Sequence, residues 1–259
     1  MTPLTVNIRE KVYANGTCAI ENLAFSARPG EFVAIVGPSG AGKTTLLKLI
    51  AGLDRQLDGA ISYDACERAS QVQPASPRTG FMFQEPRLMP WLTVQQNLEL
   101  VLAPQSDAQQ TVPDSAQLQD LLAQVGLQHS GPLFPGQLSG GMQRRVALLR
   151  AFIIAPDLLL MDEPFQSLDA PTADQLRGLL QDLWQRTRPT VLFVTHSLRE
   201  ALSLADRILF LSARPSRIIY DYAVDLPRPR TIEDLNVQKL HESLLEQSPQ
   251  LLEGLMPYS

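Results

Sequence analysis

One loop constrains this chain more than any other feature, because it follows an apolar run and combines glycines with a lysine and two threonines. The run is Phe32–Val36, and the loop consists of Gly37, Pro38, Ser39, Gly40, Ala41, Gly42, Lys43, Thr44 and Thr45. A helical-looking stretch follows at 46–51, and this order of strand, glycine-rich loop and helix is the pattern of a P-loop. We therefore expect an α/β fold in which a strand leads directly into a phosphate-binding helix N-terminus.

The residue types of this loop indicate how it would bind phosphate. Glycines let successive backbone N–H groups converge on phosphate oxygens without Cβ clashes, and the following helix adds the positive end of its dipole. Lys43 is expected to reach the β- and γ-phosphates of a bound nucleotide, and the Thr44 hydroxyl is expected to ligate Mg²⁺. The alternative is a strand-to-helix turn that binds nothing.

The overall composition argues against several classes of protein. Of the 259 residues, 44% are hydrophobic and 19% are charged, as in a soluble globular protein. A net charge of -5 does not provide the excess positive charge that is typical of nucleic-acid-binding proteins. No apolar run reaches the length of a membrane span, and the polar start resembles no signal peptide, so we expect neither. Cys18 and Cys66 lack metal-ligand spacing, so no metal or disulfide site is expected from them.

The apolar segments predict a mixed β start followed by a parallel sheet. Strand patterns lie near the P-loop strand at 4–8, 18–25 and 60–63, and later at 158–161, 190–194 and 207–211. Helical patterns at 170–186 and 198–204 separate the later strands, and this alternation is typical of a parallel α/β sheet. Such sheets bind ligands at the carboxyl ends of their strands, so we expect the P-loop and the later motifs to converge there.

These patterns divide the chain into three parts. Residues 1–85 and 157–225 predict a nucleotide-binding α/β core with an N-terminal antiparallel β subdomain. Residues 86–156 show helical periodicity, interrupted by a polar segment at 104–117, and predict an inserted helical subdomain. Residues 226–259 predict an extended tail and one amphipathic helix at 232–244. The predicted fold class is thus a P-loop NTPase core of the RecA-like type with a mostly parallel sheet.

Two carboxylates, Asp162 and Glu163, directly follow the apolar run 158–161. Negative charge after a buried strand is costly unless a cation or hydrogen bonds compensate it. Bound Mg²⁺ would provide this compensation, so Asp162 is expected to hold the metal directly or through water. Glu163 is expected to orient and deprotonate the water that attacks the γ-phosphate. The alternative is an acidic pair that only caps a helix.

A second candidate anion site lies at 138–143, where Ser139, Gly140 and Gly141 precede a helical pattern. A serine and two glycines before a helix can present free backbone N–H groups to an anion. The chain therefore contains two such helix N-termini, and both need an explanation.

The order of these motifs resembles that of ATP-binding cassette ATPases. Besides the P-loop and the carboxylate pair, the shared features are Gln84, the segments 138–143 and 167–169, and His196. The resemblance extends from residue 4 to residue 230, which is most of the chain. It implies a cassette that binds and hydrolyses ATP with Mg²⁺.

The resemblance also implies a dimer. Cassettes of this family pack head to tail, so Ser139, Gly140 and Gly141 of one copy would contact the γ-phosphate held by Lys43 of the other. Asp169 would cross the interface between the copies. The γ-phosphate would offer charge-assisted hydrogen bonds to the second helix N-terminus, and hydrolysis would remove them.

Three further residues have roles that the resemblance implies. Gln84 would ligate or sense Mg²⁺ and the attacking water, His196 would contact the γ-phosphate, and Tyr13 would stack on adenine. Ser197 stands where the family usually has an acidic residue. The spacing of Ser197 and Glu200 predicts a capping box, so the serine hydroxyl is expected to cap the following helix.

Three segments resemble importer cassettes of the nitrate, sulfonate and taurine class. The segment 84–91 lies beside the transmembrane subunits in that class, and the segments 214–219 and 224–230 also resemble it. Leu88, Met89 and Trp91 could line a groove that receives a short helix of a membrane partner, or they could be buried inside the helical subdomain.

The implied assembly is a homodimer of this subunit joined to transmembrane permease subunits and, indirectly, to a periplasmic or surface solute-binding protein. The subunit would lie peripherally on the cytoplasmic face of the inner or plasma membrane and bind no nucleic acid. It would energise uptake of a small solute such as nitrate, a sulfonate or taurine. The alternatives are an exporter or lipoprotein-release ATPase, an importer of a thiamine-precursor pyrimidine, and a soluble cassette ATPase without a transport role.

Overall fold

Nine β-strands and seven α-helices form within residues 3–63, 77–102 and 115–255, which the computed structural model describes. The chain divides into two compact units. The first comprises Met1–Pro77, Leu160–Glu163 and Arg188–Ser259, and the second comprises Arg78–Leu159 and Pro164–Thr187.

Strands and helices alternate strictly only from Leu158 to Leu211, and the earlier strands and helices also occur in consecutive groups. In chain order they are β1 Leu4–Val12, β2 Cys18–Ala27, β3 Phe32–Val36, α1 Lys43–Ile50, β4 Asp58–Tyr63, β5 Thr79–Met82, α2 Val94–Leu102, α3 Ser115–Gln124, α4 Gly140–Phe152, β6 Leu158–Asp162, α5 Ala170–Thr187, β7 Thr190–Thr195, α6 Leu198–Leu204, β8 Arg207–Leu211, β9 Ile218–Ala223 and α7 Leu235–Gln247.

A three-stranded antiparallel sheet of order β2-β1-β4 begins the first unit. Leu4, Val6 and Ile8 of β1 are buried and alternate with exposed residues, so one face of the strand packs and the other meets solvent. A turn joins β1 to β2, with Gly16 at a φ of 80° and its N–H donating to the Tyr13 carbonyl. This turn places Tyr13 directly after β1.

The main sheet of the first unit has the order β6-β7-β3-β8-β9, to which β6 contributes its last residues, 160–162. Strand β3 runs parallel to both β7 and β8, whereas β9 is antiparallel to β8. Every residue of β3 and β7 is buried, as expected for parallel strands covered on both faces. These parallel pairs and the antiparallel N-terminal sheet confirm the predicted α/β class.

The second unit is mainly helical and has its own apolar core. Leucine and valine side chains of α2, α3 and α4 form one buried cluster, which includes Val94, Leu98, Leu122, Val146 and Leu149. Strand β5 meets the start of β6, because the Arg78 carbonyl accepts hydrogen bonds from the N–H groups of Asp157 and Leu158. Helix α5 packs against α4.

Most predicted segments agree with the structure within a few residues. The strand β9 and the short strand β5 were not predicted, and the last helix begins at Leu235 rather than at 232. The predicted boundaries 1–85 with 157–225, 86–156 and 226–259 stay a prediction. In the structure, α5 belongs to the helical unit and α7 to the first unit. Most of the polar segment 104–117 lies outside the described residues.

No helix within 3–63, 77–102 and 115–255 combines the length and apolar character that crossing a bilayer requires.

Candidate nucleotide-binding site

The P-loop connects the buried strand β3 to helix α1, as its sequence predicts. Gly42 occupies the N-cap position with a φ of 83°, and no side chain caps the first turn. A Cβ at Gly42 would lie 3.0 Å from Ser216 Oγ and 3.2 Å from Ala19 O, so the positive φ and the crowding together favour glycine. The first N–H groups of α1 therefore have no side-chain partner from the cap, which suits an anion.

Lys43 folds back onto the loop that precedes it. Its Nζ donates to the carbonyls of Gly37 at 2.8 Å and Pro38 at 2.9 Å, and the side chain is 6% exposed. Burial lowers the pKa of Lys43, and the nearby charges of Glu163 and Asp162 act in the opposite direction. The ammonium group is thus held inside the loop, 3.9 Å from Glu163 Oε1.

Thr44 and Asp162 meet at the end of strand β6. The Thr44 hydroxyl donates to Asp162 Oδ1 at 3.0 Å across a sequence separation of 118 residues. Burial raises the pKa of the Asp162 carboxyl, and the hydrogen bond from Thr44 lowers it in part. Among the described residues, no group of three or more His, Cys, Asp or Glu side chains could hold a metal. One carboxylate and one hydroxyl fit Mg²⁺, which keeps several waters and binds phosphate oxygens.

Glu163 lies between two other candidate residues. Its Oε2 is 3.1 Å from His196 Nδ1, and its Oε1 faces Lys43 Nζ at 3.9 Å. Its backbone has a φ of 46°, and its N–H donates to the Val194 carbonyl at 3.0 Å. An ionised carboxylate only accepts hydrogen bonds, so Nδ1 of His196 is assigned as the donor. The structure therefore brings Lys43, Glu163 and His196 together.

The residues around His196 hold the start of helix α6. Ser197 Oγ accepts from the Glu200 N–H at 3.3 Å, which confirms the predicted serine cap. The reciprocal half of the capping box differs, because the Glu200 carboxylate accepts from the Thr195 hydroxyl at 2.6 Å instead. Thr195 Oγ1 in turn accepts from the Ser197 N–H at 3.0 Å. Thr195 and Glu200 thus fix the backbone on both sides of His196, and the sequence prediction missed the threonine.

Tyr13 is close to the start of helix α1. Its hydroxyl is 2.6 Å from Thr45 Oγ1, and the side chain is 38% exposed. Lys11 Nζ lies 5.3 Å from the centre of the tyrosine ring and pairs with Asp54 at 2.8 Å. The tyrosine ring is thus held beside helix α1, and part of the ring stays accessible for stacking with a nucleotide base.

In the second unit, helix α4 begins at Gly140 and Gly141, directly after Ser139. Ser139 is the N-cap, and its hydroxyl accepts from the Met142 N–H at 3.2 Å. A Cβ at Gly140 would meet no heavy atom within 4 Å, whereas one at Gly141 would lie 2.6 Å from the Thr172 methyl carbon. Gly140 is therefore open to a ligand.

Asp169 precedes helix α5 and faces the same threonine. A hydrogen bond from the Thr172 side chain is the main cause that holds the pKa of Asp169 below its ordinary value. Thr172 contacts Asp169 and approaches Gly141, so it connects two predicted segments of the second unit. No sequence signal singled out this threonine.

Gln84 contacts another glutamine. Its Nε2 donates to Gln166 Oε1. The chain that follows Gln84 is held by Arg150, whose guanidinium donates to the Pro86 carbonyl at 2.9 Å and the Arg87 carbonyl at 2.8 Å. The expected contact of Gln84 with Mg²⁺ and water stays a prediction.

The apolar residues of segment 84–91 were predicted either to line a groove for a partner helix or to be buried in the helical subdomain. The structure shows one residue buried and another exposed. Leu88 is buried in the helical core, whereas Trp91 is 70% exposed. Asn97 is fully buried and binds the backbone of this segment, donating to the carbonyls of Met89 and Leu92 and accepting from the Met89 N–H. The loop is thereby fixed with its tryptophan outward.

Cys18 is a free, half-buried thiol, and burial raises its pKa. Cys66 lies outside the described residues.

The comparison with known proteins bears directly on this arrangement. A family model described as ABC transporter matches residues 20–166, which include the P-loop, the segment 138–143 and both carboxylates. The chain belongs to the ABC transporter family. Membership in this family makes the chain an ATP-binding ATPase, which confirms the predicted enzyme class and the use of ATP.

Several relatives of this ABC protein match it over most of their length. The aliphatic sulfonates import ATP-binding protein SsuB of Bacillus licheniformis is 38% identical and covers 94% of this chain and 93% of its own. SsuB 1 of Streptomyces avermitilis is 42% identical over 90% and 81% of the two chains. SsuB 2 of Burkholderia lata is 39% identical over 96% and 88%.

Solved ABC cassettes share the fold. A dimeric bacterial ABC transporter cassette has a TM-score of 0.70 and 28% identity, covering 88% of this chain and all of its own. A dimeric post-hydrolysis state of an ATP-binding cassette bound to ADP and Pi has the same TM-score, identity and coverage. The predicted P-loop NTPase fold is thus confirmed for this ABC chain.

Proposed function

We propose that this ABC ATPase is the nucleotide-binding subunit of an importer that takes up an aliphatic sulfonate or a related small anion. The observation that carries the proposal is the near full-length similarity to ATP-binding proteins named for aliphatic sulfonate import, from three bacterial genera. The names of these relatives do not favour an exporter, a lipoprotein-release ATPase or a soluble ATPase.

The proposed hydrolytic site uses the cluster around Glu163. The Lys43 ammonium now binds the carbonyls of Gly37 and Pro38, and phosphate oxygens would offer it stronger, charge-assisted partners. Glu163 would accept a proton from the attacking water while His196 donates to its other oxygen. Because Lys43 and His196 flank this carboxylate, the water would be activated beside the phosphate that both contact.

Thr44 and Asp162 would hold Mg²⁺. Burial raises the pKa of the Asp162 carboxyl, so its negative charge is costly there and a bound cation would compensate it. When bound, Mg²⁺ would neutralise charge on the β- and γ-phosphates. Gln84 would add a further oxygen ligand, as the family resemblance implies.

A second copy of the chain would complete the site. The N-terminus of α4 offers backbone N–H groups beside the open Gly140, and Ser139 caps it. These groups would bind the γ-phosphate held by the other copy, with Asp169 at the interface between the two. The solved cassettes with the same fold that are described as dimeric support this proposal.

The partner in the membrane would be a separate permease. The exposed Trp91 stands on a loop that Asn97 holds rigid, which suits a docking point for a short helix of the partner. The subunit would then lie on the cytoplasmic face of the membrane. A periplasmic or surface binding protein would deliver the solute to the permease from the opposite side.

Co-purification from membranes followed by reconstitution in proteoliposomes tests the proposal. With the permease and binding protein present, an alkanesulfonate is expected to stimulate ATP hydrolysis and to accumulate on the side opposite to the binding protein. Nitrate, taurine and a thiamine-precursor pyrimidine serve as comparison solutes. Stimulation by the pyrimidine but not by the alkanesulfonate, nitrate or taurine, or solute movement towards the binding protein, would contradict the proposed importer.

A further inference from the structure

A buried arginine of helix α4 binds the chain that follows Glu163. Arg144 is 8% exposed, and its guanidinium donates to the Pro164 carbonyl at 2.7 Å and the Gln166 carbonyl at 2.7 Å. Among the described residues, no carboxylate lies within ion-pair distance of this group. A buried charge without a counter-charge is costly, so the two charge-assisted hydrogen bonds are its compensation. Such a costly group indicates a specific requirement at this position.

The segment that Arg144 holds has unusual ends. Glu163 before it has a φ of 46°, and Ser167 after it has a φ of 63°. The left-handed region costs a non-glycine residue about 1–2 kcal/mol, so such residues persist only where their surroundings hold them. Arg144 binds the first and last carbonyls of the three residues between these two positions.

The same segment also receives a contact from Gln84, whose amide donates to the Gln166 side chain. Ser139 is the N-cap of helix α4, at the proposed phosphate-binding turn. Arg144 therefore connects the helix that would sense the γ-phosphate to the backbone directly after the proposed base. A shift of α4 would be transmitted to this backbone through two hydrogen bonds.

We infer that Arg144 is a positioning residue for ATP hydrolysis, which fixes residues 164–166 so that the Glu163 carboxylate keeps its orientation towards the attacking water. The inference rests on the proposed role of Glu163. The planar fork of arginine matches the task, because its two terminal nitrogens reach two carbonyls at once, whereas lysine offers a single point donor. Burial also lowers the pKa of Arg144, consistent with a guanidinium surrounded by neutral partners.

The test compares Arg144→Met and Arg144→Lys with the matched control Arg145→Gln in the full chain. Arg145 is the next residue of α4, but its guanidinium contacts Val125 O and Gln175 rather than the segment after Glu163. ATP turnover is measured as phosphate release well below the measured Tm of each variant. Nucleotide affinity is measured separately with a fluorescent ATP analogue.

We expect Arg144→Met to lower kcat by about tenfold to a hundredfold, because small misplacements of a reacting group have effects of this size. Nucleotide affinity should stay unchanged, Arg144→Lys should recover part of the rate, and the control should match the unsubstituted chain. Equal kcat values for Arg144→Met and Arg145→Gln would overturn the inference. If Arg144→Met does not fold, Arg144→Gln provides the same comparison, since one amide cannot span both carbonyls.

A double substitution separates positioning from a general loosening of the structure. In a Glu163→Gln background the residue that Arg144 positions is already inactive, so adding Arg144→Met should change the residual turnover little. A further fall as large as in the unsubstituted background would overturn the inference. Failure of the proposed role of Glu163 is recognised independently, because Glu163→Gln alone would then retain normal hydrolysis.

Discussion

Replacing Glu163 by glutamine is the sharpest test of the proposed hydrolytic site. The substitution keeps the size of the side chain and an oxygen that can accept from His196 Nδ1, now 3.1 Å away. It removes the negative charge and the capacity to take a proton from water. The arrangement of the site should therefore persist while the proposed chemistry is lost.

Glu163→Gln changes both the reaction rate and the electrostatic interaction of Glu163 with Lys43. General base catalysis contributes about 10²–10⁴-fold in rate, which corresponds to about 3–5 kcal/mol in the activation free energy. The lost attraction between Glu163 and Lys43 at 3.9 Å is at most about 4 kcal/mol in an effective dielectric of about 20. Lys43 keeps its two carbonyl partners, and ATP no longer meets a repelling carboxylate. Nucleotide affinity should therefore be retained or increased.

Phosphate release under single-turnover conditions measures the rate, and size-exclusion chromatography with ATP and Mg²⁺ measures dimer formation. We expect turnover to collapse and an ATP-dependent dimer to accumulate. Glu99→Gln is the matched control, because it removes an exposed carboxylate of helix α2 whose hydrogen bond, within the described part of the chain, is with the Gln95 side chain of the same helix. Hydrolysis by Glu163→Gln at the rate of this control would refute Glu163 as the base.

Three further substitutions test the P-loop and its surroundings. Lys43→Ala should weaken binding of a fluorescent ATP analogue at least ~tenfold, since it removes a charged hydrogen-bond donor, and unchanged affinity would exclude the phosphate role. Gly42→Ala should lower the free energy of unfolding in urea by about 1–2 kcal/mol, because its φ is 83° and its Cβ would crowd Ser216; equal stability would contradict this. The pKa of Asp162 is raised in the folded state, so its charge destabilises the nucleotide-free chain at pH 7, and this penalty vanishes below the ordinary value of 3.8. Asp162→Asn should therefore stabilise the metal-free chain against urea at pH 7 but not below pH 3.8, and a loss of stability at pH 7 would contradict the reasoning.

Much of the fold follows from local sequence patterns. The run Phe32–Val36 and the pattern at 190–194 predicted buried parallel strands, and both are fully buried in the structure. The strand Ile218–Ala223 was missed, because an edge strand is only half-buried and its sequence lacks a continuous apolar run. The start of the last helix was also misplaced, since element ends depend on turns such as the one in which the Thr231 N–H donates to the Asp234 carboxylate.

The candidate site was predicted as a set of motifs rather than as a geometry. The P-loop spacing identified Lys43 and Thr44, and family resemblance added His196 and Tyr13. Arg144 was missed as a contributor, because an arginine on a helix gives no sequence signal of which carbonyls it binds. The roles of the individual residues stay predictions that the substitutions above can test.

By itself, the sequence determined that this chain is a P-loop ATPase of the ABC transporter family, because short-range spacing of glycine, lysine and carboxylates encodes the chemistry of a phosphate site. Only the tertiary structure decided which distant groups meet. Thr44 bonds Asp162 across 118 residues, and Arg144 bonds carbonyls 20 and 22 residues away. The physical reason is that such contacts depend on how strands align and helices pack. The free energy of that packing comes from many side chains along the chain, so no local sequence pattern determines it.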